Sequence, residues 1–385
     1  MNTQTEITQI VQHLRKNLGD NIVLKGNEFP NPKRIPTGSL ELDYITNGGI
    51  PVGRWTRIYG GPSSGKTLTT YKILANAQRL GYTCAYINAE QQYESEWAQK
   101  QGVNIDDLLV IETSVIEEVG ETIEALMGVV DLFIVDSCST CIPRVKLEDG
   151  LNDREYMGIN ARKWKDQFLH LNSRFDHSRN TIIYIDHVNV QFGSGGIAPL
   201  KPPGGKFMEF ISSMTLEFQQ GSWLWNRDGV FSDVRNTSQN TLSGGTEADG
   251  VAVRVQCKKS RVGKPFKTAR LVLDLEEGQF DEIEEYFAAA KFFKFVTGGS
   301  WLKQKDSEKS IRPKEFKEIL RNDPELRAEI RKTMMESSGR EIDFEALGES
   351  DVGVTEEEFQ AIGKKLIEEI AAEDLEPLGT SGVLE

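Results

Sequence analysis

Apolar positions follow two periodicities along this chain, and the switch between them lays out its elements. Ile7, Ile10, Val11, Leu14 and Leu18 recur at helical spacing and stop at Gly19, which predicts an amphipathic helix. A short apolar strand, Ile22-Val23-Leu24, follows. A unit this small cannot bury its own stripe, so it must pack on its own core domain or on a neighbouring protomer. From about residue 35, strand and helix patterns alternate, the mark of a parallel α/β sheet. Strands are predicted at 56–59, 84–87, 108–111, 132–135 and 181–185, and helices at 66–80, 115–127 and 158–178.

Two stretches break this alternation. Residues 188–206 hold Gly193, Gly195, Gly196, Pro199, Pro202, Pro203, Gly204 and Gly205. A loop this long inside an α/β domain is expected to be functional. Residues 221–250 read as polar and strand-poor. From about 276 a smaller unit begins, with Phe280, Ile283, Tyr286, Phe287 and Phe292 as core candidates, and it runs to roughly 336. The chain has no internal repeat and no low-complexity tract.

Composition sharpens this outline. A length of 385 residues suggests about two or three domains. Hydrophobic residues make up 38% of the chain, enough for a core, yet no apolar run approaches the ~20 residues of a membrane span. The polar start, Met1-Asn2-Thr3-Gln4, lacks a signal-peptide pattern, and four cysteines within or beside apolar segments suit a reducing cytosol. The expected location is cytoplasmic. The net charge is −14, but residues 337–385 hold 14 acidic and 3 basic residues and so carry −11 of it. An acidic tail on a near-neutral body is either a solvated tail or an internal competitor for a basic nucleic-acid site.

Candidate chemistry concentrates at strand ends. Residues 60–67, Gly-Gly-Pro-Ser-Ser-Gly-Lys-Thr, form a complete phosphate loop directly after the strand Thr56-Arg57-Ile58-Tyr59. Gly60 and Gly65 let backbone N–H groups wrap a phosphate, with Gly61, Pro62, Ser63 and Ser64 completing the turn. Lys66 reaches the β- and γ-phosphates, the Thr67 hydroxyl is a Mg²⁺ ligand, and the following helix points its positive end at the same anion. Leu132–Val135 runs into Asp136, the strand-end acid that holds the Mg²⁺ shell. Tyr86-Ile87-Asn88-Ala89-Glu90 ends another strand with a carboxylate, and Glu90 is the best general-base candidate. Asp186-His187 ends a third strand just before the Gly/Pro-rich loop, where His187 is a candidate γ-phosphate sensor. Cys138 and Cys141 form a C-x-x-C without a second pair, so packing is expected rather than metal or redox work.

These residues resemble the RecA recombinase family over most of 1–336. The stretches that carry the resemblance are Pro36–Asp43, Gly60–Thr67, Tyr86–Glu90, Ile134–Ser137, Tyr156-Met157-Gly158, Gly204-Gly205, Lys264-Pro265-Phe266 and Gly298-Gly299-Ser300-Trp301. The implied fold is an α/β phosphate-loop ATPase core with a mostly parallel central sheet. Its implied parts are an N-terminal oligomerisation helix and strand (1–34), the core (35–275), a small α/β C-terminal domain (276–336) and the acidic tail (337–385). The resemblance implies ATP and Mg²⁺ as ligands, with Glu94, Trp97 and Pro265 joining the phosphate loop at the nucleotide. It puts Lys259 and Arg261 where the family reaches a neighbour's γ-phosphate. It makes 148–158 and 188–206 the DNA loops. There, backbone N–H groups of Met157, Gly158, Gly204 and Gly205 would hold phosphates. Arg162 and Lys206 would add charge, and Met157 would wedge between bases.

The implied partners are single-stranded DNA, homologous duplex DNA, further copies of the chain in a filament, and a single-strand-binding protein or loader. Strand exchange by a DNA-dependent ATPase is the expected activity. A RecA-core ring helicase and a non-catalytic ATP-gated mediator are the alternatives. His187 stands where bacterial members have Gln, a change shared with phage recombinases, as is Lys259-Ser260-Arg261. A phage-type or otherwise divergent member is therefore expected.

Overall fold

The computed structural model describes residues 3–18, 31–148, 158–177, 179–188, 192–193, 196–197, 205–227, 230–232, 248–305 and 309–337. The expected strand at 22–24, Met157, Gly204, the Lys206 side chain and the acidic tail from 338 lie outside the described residues.

Residues 1–33 form one compact unit and residues 34–385 another. In the first, helix α1 (Thr3–Leu18) places Glu6 in its first turn and Arg15 and Lys16 in its last, matching the helix dipole. Ile7 and Ile10 are 49% and 58% exposed within that chain.

The second unit is built on a ten-stranded sheet. In chain order its strands are β1 (Trp55–Gly60), β2 (Cys84–Asn88), β3 (Leu108–Ile111), β4 (Leu132–Asp136), β5 (Thr181–His187), β6 (Met214–Arg227), β7 (Val230–Ser232), β8 (Gly250–Ser260), β9 (Thr268–Asp274) and β10 (Gln279–Phe280). Their spatial order is β10-β9-β8-β6-β1-β5-β4-β2-β3, with β7 paired to β6. Strands β6, β1, β5, β4, β2 and β3 are parallel, while β7 to β10 extend the sheet antiparallel. The chain is α/β, as its alternating pattern predicts.

Helices α2 (Leu40–Thr46), α3 (Lys66–Arg79), α4 (Ser95–Lys100), α5 (Ile116–Leu126), α6 (Arg144–Glu148), α7 (Ile159–Arg174) and α8 (Gly205–Ile211) fill the connections. Successive strand residues face opposite sides of the sheet. Ile58, Tyr86, Ile134, Ile183 and Ile185 enter one core with Leu68, Tyr71 and Leu74 of α3. Trp55, Ile87, Phe133, Val135, Ile182 and Tyr184 enter the other with Ile116 and Ile123 of α5 and Trp164, Phe168 and Leu171 of α7. Burial on both faces explains why these strands read as continuous apolar runs.

The 221–250 stretch corrects the expectation of a strand-poor segment. β6 continues to Arg227 and turns back into β7. Cross-strand partners supply the burial that the polar composition hides: Trp223 pairs with Val251 and Leu224 with Gly250, and Leu224 is buried. Residues 233–247 are outside the described set.

A third cluster gathers Tyr286, Ala289, Ala290 and Phe293 of α9 (Glu282–Phe292) and its cap with residues of α10 (Pro313–Asn322) and α11 (Pro324–Glu336). Two predicted core positions differ. Phe280 packs in the main sheet, because β10 pairs with β9, and Phe292 is 54% exposed while Phe293 turns inward. Glu285 ties this cluster to α2. Its carboxylate accepts from Ser39 Oγ at 2.7 Å and from the Glu41 N–H at 2.9 Å.

Register fixes the working edge. Gly60 lies opposite His187, and Asn88 opposite Asp136, so the carboxyl ends of four parallel strands align. Ligands of open parallel sheets bind at that edge.

Candidate active site

The turn after β1 is shaped by close approaches. A Cβ on Gly60 would fall 2.2 Å from Phe218 O, and Gly65, at φ +82°, lies under the Phe280 ring. Both positions therefore require glycine. Ser64 Oγ and Lys66 Nζ donate to Gly61 O at 2.8 and 2.7 Å, closing the loop on itself. Gly65 caps α3 without a side-chain hydrogen bond, so the first-turn N–H groups have no competing side-chain cap. That is an anion site. Lys66 is buried, and burial pulls its ammonium below the ordinary lysine value.

Asp136 gathers two hydroxyls on one oxygen. Thr67 Oγ1 of α3 and the Tyr86 hydroxyl of β2 each donate to its Oδ2 at 2.8 Å. Burial raises the Asp136 carboxyl, while the bonds from Tyr86 and Thr67 oppose that rise. A hydroxyl beside a carboxylate is the hard-oxygen donor set that Mg²⁺ prefers, and Mg²⁺ needs few protein ligands when phosphates share it. The residues fit the metal.

Glu90 lies at the same edge. His187 Nε2, from the end of β5, is 2.5 Å from Glu90 Oε1. This hydrogen bond holds the Glu90 carboxyl below its ordinary value, so it stays ionised. The Ala89 and Glu90 N–H groups donate to Asp136 O at 2.8 and 3.2 Å, locking the Glu90 backbone to the end of β4. Next to His187, Asp186 forms a buried ion pair with Arg57 of β1 at 2.6 Å.

Of the predicted base-binding residues, Trp97 packs just before β10. The Trp97 ring covers Gly278, and Gln101 Nε2 contacts Gly278 O at 3.5 Å. Two residues on, Phe280 touches Gly65, so this short segment spans from Trp97 to the phosphate loop. Glu94 is exposed at the start of α4.

Lys259 and Arg261 are not brought to this edge. In register, Lys259 lies opposite Thr215, and Ser260 opposite Met214, which in turn pairs with Thr56 at the start of β1. They stand at the amino ends of the parallel strands, four residues or about 13 Å from Gly60 along β1. There they meet the C-terminus of α8. Lys259 Nζ donates to the carbonyls of Glu209 and Phe210, and Arg261 Nη2 to that of Phe210 at 2.8 Å. Pro265 is exposed in the β8–β9 turn.

Of the predicted DNA contacts, Gly158 is exposed at φ +83° and caps α7, and Arg162 is exposed on the first turn of that helix. Gly205 opens α8. Within the second loop, Phe192–Gly193 pairs with Gly196–Ile197. Cys138 and Cys141 are buried, and burial pushes both thiols up, Cys141 to about 12, which suits packing.

Sequence reasoning missed Tyr86, Arg57 and Tyr184. Their signal is a polar group inside an otherwise apolar buried strand, which must find a partner.

The sequence model of the RecA N-terminal domain matches residues 5–279. A Protein RecA of Thermus thermophilus is 32% identical over 331 residues, covering 85% of this chain and 92% of the relative. Protein RecA of Thermus aquaticus is 30% identical over 344 residues, covering 88% and 96%. Protein RecA of Campylobacter jejuni subsp. doylei is 30% identical over 346 residues, covering 88% and 95%. A phosphate loop, a strand-end aspartate bonded to its threonine and a hydrogen-bonded strand-end glutamate, within a match spanning most of the sequence, make this chain a member of the RecA family.

Proposed function

We propose that this RecA-family recombinase completes each ATP site between two protomers of a filament on single-stranded DNA. The chain is an ATP-dependent recombinase of recombination and repair, a DNA-dependent ATPase with strand-exchange activity. Single-stranded DNA, duplex DNA and copies of itself are its partners; a loader or single-strand-binding protein is a further proposed one.

In the mechanism, the amides of 61–67 and Lys66 hold the triphosphate, with Trp97 and Glu94 toward the base and Pro265 meeting a neighbour's nucleotide. Mg²⁺, held by Thr67 and Asp136, would supply charge neutralisation on the phosphate oxygens when bound. Glu90 orients a water and accepts its proton, while the water oxygen bonds to the γ-phosphorus and the bond to the β-phosphate bridge breaks. His187, bonded to Glu90, turns toward the γ-phosphate and reports it to the 188–206 loop. Gly158, Arg162, Gly204, Gly205, Lys206 and Met157 contact the DNA backbone and bases without reading sequence.

The observation that carries this reading is the position of Lys259 and Arg261 at the sheet edge opposite the phosphate loop. A lysine or arginine reaches only about half the length of a strand, so any γ-phosphate they meet belongs to another copy. The Arg261 fork suits bidentate phosphate contact.

Complementation tests it. Glu90→Gln and Arg261→Ala chains are each expected to lose single-stranded-DNA-stimulated ATP hydrolysis, and their mixture to regain part of it, because some mixed interfaces pair an intact Glu90 with an intact Arg261. Lys66→Ala is the inactive control. A mixture no more active than its components would overturn the shared site.

A further inference from the structure

We propose that the buried hydroxyl of Tyr184 is a positioning group, setting α8 against β5 and thereby aiming Lys259 and Arg261. This rests on the shared-site reading above. Tyr184 is fully buried on β5, three residues before His187. Its hydroxyl contacts Met208 O of α8 and lies 2.5 Å from Ser212 Oγ, which itself contacts Met208 O at 2.6 Å. Two hydroxyl protons serve three contacts, so two are hydrogen bonds at any moment, and at least one of them ends on the Met208 carbonyl. Burial holds the Tyr184 hydroxyl protonated, far above its usual range.

The next two carbonyls of α8, of Glu209 and Phe210, are those that hold Lys259 and Arg261. A helix C-terminus attracts cations, and these contacts use only part of their donor sets. Both keep N–H groups with no partner among the described residues, and those remain for phosphate. α8 begins at Gly205, so its first two residues are the last two of the expected DNA loop at 188–206. A continuous path therefore runs from Glu90 through His187 and β5 to Tyr184, then through Met208 O and the end of α8 to the two cations. A shift of α8 when the loop engages DNA moves both cations together, and Tyr184 fixes the reference point for that shift.

The test uses full-length Tyr184→Phe, which keeps the ring and removes only the hydroxyl, and Ser212→Ala as a second variant should the first fail to fold. ATP hydrolysis is measured with and without single-stranded DNA, in wild-type and Arg261→Lys backgrounds. The DNA-stimulated kcat is expected to fall about tenfold, the scale of one lost buried hydrogen bond. The DNA-independent rate and the KM for ATP stay unchanged. In the Arg261→Lys background the same change adds little, because the two act through one contact. Undiminished stimulation, an equal fall in both rates, or fully additive losses would each overturn the proposal. Wild-type turnover that DNA does not raise would overturn the underlying reading as well, and is told apart because it needs no variant.

Discussion

His187 Nε2 and Glu90 Oε1 meet at 2.5 Å although their strands are not neighbours, since β4 lies between β5 and β2. The pair bridges the strand that carries Asp136, so the proposed base and the proposed sensor flank that carboxylate. Glu90→Gln is expected to lower DNA-stimulated hydrolysis by roughly 10²–10⁴-fold while nucleotide binding, read by fluorescence of a labelled ATP, persists. Equal loss of binding and turnover would remove Glu90 from the base role.

Tyr86 shares Asp136 Oδ2 with Thr67. Loss of a ligand's hydrogen-bonding partner typically costs about 10–100-fold in metal affinity or activity. Tyr86→Phe is therefore expected to raise the Mg²⁺ concentration for half-maximal hydrolysis about tenfold, with the maximal rate nearly recovered at high Mg²⁺. An unshifted Mg²⁺ titration would show that Tyr86 serves only the core.

Arg57 and Asp186 are 3% and 1% exposed, and burial pushes the Asp186 carboxyl up to about 6 despite its partner. Arg57→Met strands a buried carboxylate, at a cost of about 3–5 kcal/mol. The variant is expected to melt lower at pH 8 than at pH 5, where Asp186 takes up a proton, and a second change, Asp186→Leu, should recover most of the loss. A melting temperature unchanged at both pH values would contradict this.

Glu285 and Glu41 meet at the start of α2, where burial pushes their carboxyls up to about 8 and about 7. A folded value above the ordinary 4.5 makes this contribution full below pH 4.5 and lost as pH rises through about 8. Glu285→Gln keeps an acceptor for Ser39 and the Glu41 N–H. It should melt roughly 5 °C above wild type at pH 9 and level with it at pH 4.5. Parallel pH curves for the two proteins would rule this out.

What the sequence made legible was local. The phosphate loop, Asp136 at the end of β4 and Glu90 after β2 are each written in a few adjacent residues, with glycine and strand-end chemistry to mark them. What it hid depends on partners far along the chain. Tyr86 meets Asp136 across 50 residues, and Arg57 meets Asp186 across 129. β6 was obscured for the same reason, because Leu224 is buried by a strand that begins 26 residues later, at Gly250. Phe292 and Phe293 differ by one helical step, which decides burial but leaves almost no trace in composition.

The four cysteines carry a practical consequence. Cys84, Cys138, Cys141 and Cys257 are all buried, and burial holds every thiol protonated above its ordinary value. Maleimide dyes attack the exposed thiolate, so the native chain offers them almost nothing. A cysteine introduced at an exposed site such as Ser173 or Trp223 would take up label alone. The motion of single protomers on DNA can thus be followed by fluorescence without first stripping the core of its sulfur.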